Sequence, residues 1–384
     1  MRFEFATASR IVFGPGVLKE AAPLAAHQGR RVLVVTGSSP ERAAPLFALL
    51  SGQGMATVAF SVRGEPSTTL VCDGATLALN ERCDCVVGCG GGSVLDAGKA
   101  IAALMTNGCD PYRYLEVIGQ GEKLAEPPAP YIAIPTTAGT GAEVTANAVL
   151  FAPQQRIKVS LRSPLMLPKA AIVDPELTYS LPADVTATTG LDALTQVLEP
   201  YVSNQANPLT DAFCREGLRR AARSLQRACA RGDDPAARED MALASLLGGL
   251  ALANAKLGAV HGFAGLIGGM FPAPHGAVCA CLLPVVMDIN IRALRTREPG
   301  SATLKRYDDV AALLTGRDGA VAEDGVRWVE ALVHQLNVPS LAAHGVTEAD
   351  FAQLVAQVPK TSSMKGNPLE LTADELAEIL TRAL

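Results

Sequence analysis

Between residues 32 and 175 of this 384-residue chain, short runs rich in Val and Ile alternate with stretches of helical periodicity. The runs "VLVVTG", "ATVAFSV", "DCVVGCGGG", "YIAIPTT" and "AAIVDP" are strand candidates near residues 32–37, 57–62, 84–92, 131–137 and 170–175. "AAPLFALLSGQG", "CDGATLALNER" and "SVLDAGKAIAALMTNG" read as the helices between them. Strands that are apolar throughout belong to a sheet covered on both faces, and helices interposed between them make it parallel. Ligands of such sheets bind beyond the carboxyl ends of the strands.

After Asp174 and Pro175 the strand signal fades, and "PADVTATTGLDALTQVLEPYVS", "PLTDAFCREGLRRAARSLQRACARG" and "TADELAEILTRAL" all carry helical spacing. The expected architecture is an α/β domain over residues 1–178 and an all-helical domain over residues 179–384, closely packed with a cleft between them. With 49% hydrophobic and 18% charged residues, the chain has enough apolar content for cores of this size. A net charge of −5 gives no electrostatic reason for nucleic acid or an anionic membrane as partner, which leaves a small metabolite. The first residues lack the apolar core of a secretion signal, and nine scattered cysteines show no disulfide spacing, so the cytoplasm is the expected setting. Cys83, Cys85 and Cys89 in "RCDCVVGCG" suggest a metal site, but they sit on a strand entering a glycine turn and read better as buried structural thiols.

Two strand ends carry candidate ligand contacts. In "GCGGGSVLDAGKA" the residues Gly90, Gly91, Gly92, Ser93 and Asp96 lie where a strand turns into a helix, so backbone N–H groups of the first helical turn would face an anion such as a pyrophosphate. The motif is neither G-x-G-x-x-G nor a P-loop, and a ligand-free turn is the alternative. In "PTTAGTGAEVT", Thr136, Thr137 and Thr140 offer hydroxyls to a diphosphate or a nicotinamide amide. Two such turns suit an extended nucleotide. Gly37 ends the first strand without the carboxylate that would bind a ribose and repel a 2′-phosphate, so NADPH is tolerated beside NADH.

His261 and His275 are two of five histidines in the chain and lie fourteen residues apart. One unbroken helix would separate them by about 21 Å. Gly268, Gly269, Pro272 and Pro274 should end one helix and turn the chain, bringing His275 back beside His261. Asp192 and Gln196, four apart, share a helical face. A carboxylate with two imidazoles suits Zn²⁺ or Fe²⁺, with the Gln196 amide oxygen as a weaker fourth donor. Spacing alone serves equally well for packed or capping histidines and a solvated aspartate.

Taken in order, "GCGGGSVLDAGKA", "PTTAGTGAEVT", "AAIVDPELT", "TTGLDALTQVLEPYVS", "AVHGFAGLIGGMFPAPHG" and "KGNPLELTADEL" resemble the iron-containing alcohol dehydrogenase family over nearly the whole chain. The resemblance implies a dehydroquinate-synthase-like fold, NAD(P) in the first domain, commonly a homodimer, and reversible hydride transfer between an alcohol and an aldehyde or ketone. It also implies that Asp192, His261 and His275 are catalytic and hold Fe²⁺ or Zn²⁺. The family's third metal histidine falls on Gln196, and a further family histidine near the nicotinamide falls on Gly265. The metal is therefore expected to be weakly bound, different or absent. Two alternatives follow: a metal-free oxo-acid reductase resembling maleylacetate reductase, with Lys158, Arg162 and Lys365 as candidate basic groups, and a non-catalytic nucleotide-binding protein. Phe263, Leu266 and Ile267 are candidates to line a substrate pocket or to fill a core.

Overall fold

The computed structural model describes residues 2–384. The chain divides into two compact units. One comprises Ala6–Thr137 and Gly141–Thr178; the other comprises the N-terminal segment through Phe5, Ala138–Thr140 and Tyr179–Leu384.

The first unit is built on β1 (Ile11–Phe13), β2 (Arg31–Thr36), β3 (Ala56–Ser61), β4 (Cys85–Gly90), β5 (Tyr131–Pro135), β6 (Asn147–Ala152), β7 (Ile157–Arg162) and β8 (Ala170–Val173). Six strands form one parallel sheet in the order β1-β8-β5-β4-β2-β3. The helices α1 (Ala21–Ala26), α2 (Ala44–Gly52), α3 (Thr68–Asn80) and α4 (Gly92–Asn107) belong to this unit. Because side chains alternate across a strand, each strand feeds two cores. Val32, Val34, Cys85, Val87, Ile132 and Ile134 pack with residues of α1 and α2. Leu33, Val35, Val86 and Ala133 pack with residues of α3 and α4. A sheet buried on both faces reads as continuous apolar runs, as the sequence does.

Two parts of this unit depart from the sequence reading. The strand β1 adds a short edge, pairing Ile11–Phe13 with Ala171–Val173. The strands β6 and β7 form an antiparallel hairpin apart from the main sheet. Cys85 and Cys89 are buried thiols pushed up to about 12, chiefly by burial, and Cys83 is also raised, chiefly by burial. All three are core residues, so they make no metal site.

The second unit carries α5 (Ala183–Val202), α6 (Pro208–Ala230), α7 (Pro235–Ala255), α8 (Ala259–Met270), α9 (His275–Arg297), α10 (Ala302–Thr315), α11 (Ala322–Gln335), α12 (Phe351–Gln357) and α13 (Ala373–Ala383). No strand occurs in it among the described residues. The helix α9 is long and apolar enough to cross a membrane, although the sequence shows no uninterrupted apolar run of that length. Its residues instead fill the centre of this unit, with Val278, Leu282, Leu283, Val286 and Ile289 in one core with Leu191, Leu194 and Leu198 of α5. That is the setting of a core helix.

Candidate metal centre and cofactor turn

Three helices of the second unit deliver the candidate ligands. Asp192, Gln196 and Glu199 follow one another on α5 at spacings of four and three, which place them on one face. The chain ends α8 at Met270, passes through Phe271–Pro274 and restarts α9 at His275, with Pro274 as N-cap. Pro274 cannot continue a helix from its N-terminal side but suits the start of one. The turn returns His275 to His261, with ring centroids 5.4 Å apart.

Asp192 Oδ1 lies 3.3 Å from His261 Nε2 and 3.8 Å from His275 Nε2. Cys279, one turn beyond His275, places Sγ 3.6 Å from His275 Nε2 and 4.0 Å from His261 Nε2. The four donor atoms all lie within 4.8 Å of one another, and they form the one such group among the described residues. Cys279 escapes sequence reading because "CACLLPVVM" looks like a core helix; its only signal is the fourth position after His275.

Glu199, also absent from the sequence reading, fixes His261. Its Oε2 is 2.7 Å from His261 Nδ1, and its Oε1 accepts from Val260 N at 2.8 Å. A carboxylate on Nδ1 keeps the proton there and turns the Nε2 lone pair toward Asp192. Two lone pairs then face each other at 3.3 Å, an arrangement that a cation or a shared proton must relieve. Burial opposes charge on every member, but the neighbours outweigh it. His261 and Cys279 feel one another, so the imidazole is held well above its usual range and the thiol below its own. His275 is likewise raised by Cys279 and Asp192, and Asp192 is lowered by both histidines.

The donor chemistry fits a divalent ion. Asp192 Oδ1 and Gln196 Oε1 are buried, and neither meets a hydrogen-bond donor in good geometry. The Gln196 Nε2 group donates to Gly139 O at 2.8 Å, which fixes the amide and leaves its oxygen unsatisfied. Buried polar atoms without partners cost free energy, and a cation would satisfy both oxygens. His275, with its side chain 32% exposed against 3% for Asp192, marks the open side of the cluster.

The apolar residues near the histidines resolve differently from one another. Phe263 and Ile267 are fully buried in the helical core, with Leu266 packed against it, so they fill a core rather than line a pocket. Gly265, one turn after His261, has nothing within 4 Å of where a Cβ would stand. Its backbone is ordinary helix, and Gly→Ala at such a site stabilises by up to about 1 kcal/mol. Gly265→Ala is therefore expected to raise the melting temperature by a few degrees, read by thermal denaturation of metal-free protein.

In the first unit, Gly37 follows β2, and Thr136 follows β5. The strand β4 lies between them in register, with Thr36 beside Cys89 and Gly90 beside Pro135. Gly90, Gly91, Gly92, Gly37, Thr136 and Thr137 thus gather at the carboxyl ends of three adjacent strands. Thr136 N donates to Gly90 O at 2.9 Å, tying two of these turns together. A Cβ on Gly90 would come within 2.6 Å of the Val94 side chain, so the turn tolerates no larger residue without shifting. The N-cap of α4, Gly91, supplies no side-chain cap, which leaves the first N–H groups to another acceptor. Thr140 belongs to the other unit, with Gly139. Asp96 turns inward: its Oδ1 pairs with the buried Lys99 at 3.2 Å and its Oδ2 accepts from Val149 N at 3.0 Å. This network uses its carboxylate internally, and burial raises its pKa despite Lys99.

Of the basic groups suggested for an oxo acid, Lys158 pairs with Glu65 at 2.8 Å and Arg162 with Glu116 at 3.0 Å, while Lys365 is exposed. The first two charges are answered within the protein.

Comparison with known proteins decides the family. The family described as iron-containing alcohol dehydrogenase matches residues 8–175, and its C-terminal counterpart matches residues 186–384. The chain belongs to the iron-containing alcohol dehydrogenase family. It is 38% identical to 1,3-propanediol dehydrogenase of Klebsiella pneumoniae over 84% of this chain and 81% of that one. An alcohol dehydrogenase structure from Oenococcus oeni superposes with a TM-score of 0.91 at 31% identity, covering 100% of both chains. A sulfoacetaldehyde reductase from Bifidobacterium kashiwanohense, solved with NAD⁺, gives 0.88 at 28% identity over 100% of this chain and 99% of that one. This member of the family has an NAD(P)-dependent, metal-assisted activity that interconverts alcohols and aldehydes.

Proposed function

We propose that Asp192, His261 and His275 form the catalytic metal centre of this alcohol dehydrogenase, with the Gln196 oxygen turned toward the same ion. The observation that carries this reading is the pair of buried, unsatisfied oxygens, Asp192 Oδ1 and Gln196 Oε1, beside two imidazole nitrogens. When bound, a divalent ion supplies Lewis acidity toward a carbonyl or alkoxide oxygen. Glu199 holds His261 in the tautomer that presents Nε2, and His275 closes the set on its open side. The backbone N–H groups at Gly91, Gly92 and Ser93 bind the cofactor's diphosphate, flanked by Gly37, Thr136 and Thr137. The buried Asp96 and Lys99 pair positions α4 beneath that turn. With no carboxylate at residue 37, both NADPH and NADH are accepted, NADPH at least as well.

When bound at this turn, NAD(P) would supply the acceptor for the hydride of the alcohol carbon, and the hydroxyl proton leaves on the open side by His275. Gly265 offers no imidazole to relay that proton, so it passes to solvent. The nine free cysteines fit a reducing compartment, and we place the protein in the cytoplasm as a homodimer acting on small carbonyl compounds.

The experiment is metal stoichiometry on protein purified without chelator, with NADH and NADPH oxidation on an aldehyde panel before and after stripping and restoring Zn²⁺ or Fe²⁺. Activity that falls and returns with about one ion per chain supports the reading. Full activity in stripped protein overturns the metal-assisted step. A finer check is Glu199→Gln, which keeps the shape but gives His261 Nδ1 a poorer acceptor. Metal affinity should fall at least about tenfold with little change in melting temperature of the metal-free protein, measured by chelator competition.

A further inference from the structure

The aspartate-and-three-histidine set implied by the family resemblance is broken at Gln196, yet the cluster still holds four strong donors because Cys279 is there. The arrangement is repeated on two helices: Asp192 and Gln196 on α5, and His275 and Cys279 on α9, each pair separated by one turn. Cys279 is fully buried, and its sulfur approaches both imidazole nitrogens.

The distances favour the sulfur as a ligand. Zinc bonds of about 2.0 Å to nitrogen or oxygen and about 2.3 Å to sulfur, at tetrahedral angles, put oxygen about 3.3 Å and sulfur about 3.5 Å from a nitrogen ligand. The carboxylate oxygen lies 3.3 and 3.8 Å from the two imidazole nitrogens, and the sulfur lies 3.6 and 4.0 Å from them. These edges approach a tetrahedral set before any side chain moves. Gln196 competes poorly, because a neutral amide oxygen is a weaker donor to zinc than a thiolate.

We infer that Cys279 replaces the imidazole missing at residue 196 as fourth metal ligand, and that the resulting Asp192–His261–His275–Cys279 set selects zinc over iron(II). This inference rests on the metal-assisted reading above. Binding breaks the S–H bond, forms a sulfur–metal bond and releases the thiol proton to solvent. The thiolate and the Asp192 carboxylate together neutralise a doubly charged ion inside a buried site. Nitrogen and oxygen donors already favour zinc over iron(II), and a soft thiolate widens the gap. No other group of three or more His, Cys, Asp or Glu donors lies close enough to share an ion among the described residues, and Cys281 on the same helix instead contacts Pro339 O at 2.7 Å.

The test loads the full chain anaerobically from equimolar Zn²⁺ and Fe²⁺ and records bound metal together with zinc K-edge X-ray absorption. The expected result is about one zinc per chain, taken at least about tenfold over iron, with one sulfur scatterer near 2.3 Å. Cobalt(II)-loaded wild type should show thiolate charge-transfer absorption that Cys279→Ser lacks while still binding cobalt. If Cys279→Ser does not fold, the wild-type absorption edge decides alone. Bound zinc with only nitrogen and oxygen neighbours overturns Cys279 as ligand and leaves the metal-assisted reading standing. Equal uptake of iron overturns the selectivity. Protein that takes up no ion at all overturns both readings.

Discussion

Asp192→Asn is expected to lower kcat/KM for aldehyde reduction at least about a thousandfold, a loss of about 4 kcal/mol in transition-state stabilisation. The substitution is nearly isosteric, so the effect comes from charge. Asp192 Oδ1 is the atom that both imidazole nitrogens face, at 3.3 and 3.8 Å, and it is buried without a hydrogen-bond partner. Asparagine supplies a neutral oxygen or turns an N–H₂ group toward nitrogens whose lone pairs occupy the same space. Either way a divalent ion loses the carboxylate that offsets its charge in a low-dielectric site. The metal-free protein should also lose some stability, because, despite burial, both imidazoles hold the Asp192 carboxylate below its usual pKa. The measurement is therefore paired: steady-state kinetics, and the melting temperature with and without Zn²⁺. Wild type should gain stability on metal addition, because only the folded site binds, and Asp192→Asn should not. A variant that keeps both turnover and the metal-induced shift would move the reaction centre away from Asp192.

The parts of this protein that were legible in its sequence share a physical reason. Parallel strands buried on both faces must be apolar at every position, so β2, β4 and β5 stand out as runs. The return of His275 to His261 was legible because Pro272 and Pro274, close after Gly268 and Gly269, strongly disfavour an unbroken helix there. The hairpin of β6 and β7 was not, since its faces alternate between buried and half-buried and its turn carries no glycine or asparagine. Arg156 takes the left-handed conformation there, at φ 54°, where sequence rules expect a residue without Cβ strain. Cys279 and Glu199 stayed hidden for a different reason. Each is a polar donor at a helical spacing inside an apolar segment, and its role depends on which helix faces it, a matter that periodicity does not encode. Asp96 follows the glycine turn as the sequence places it, but its carboxylate is used within the protein, by Lys99 and Val149 N.

The approach of α5 to α9 sets the scale of the second large effect. A Cβ on Gly276 would stand 2.3 Å from Thr188 O and 2.7 Å from Thr188 C, both backbone atoms that no rotamer change can move. Gly276 immediately follows His275, and Thr188 is one turn before Asp192. An alanine here must therefore push apart the two helices whose donors have to stay in register. Overpacking of this kind costs about 1–3 kcal/mol, occasionally more, and rigid backbone on one side puts Gly276→Ala at about 3 kcal/mol. Metal ligands tolerate displacements of only about 0.2 Å, so affinity for Zn²⁺ should fall at least about a hundredfold in the fraction that folds. Intrinsic helix propensity works the other way, favouring alanine by about 1 kcal/mol. Gly265→Ala isolates that favourable term, because open space surrounds residue 265 on α8. The same chemical change should thus stabilise at one position and destabilise at the other, and denaturant unfolding of both variants reads the difference directly. If Gly276→Ala unfolds no more easily than Gly265→Ala, the two ligand-bearing helices have slack between them, and the donor distances that support a tetrahedral site would not be fixed by packing.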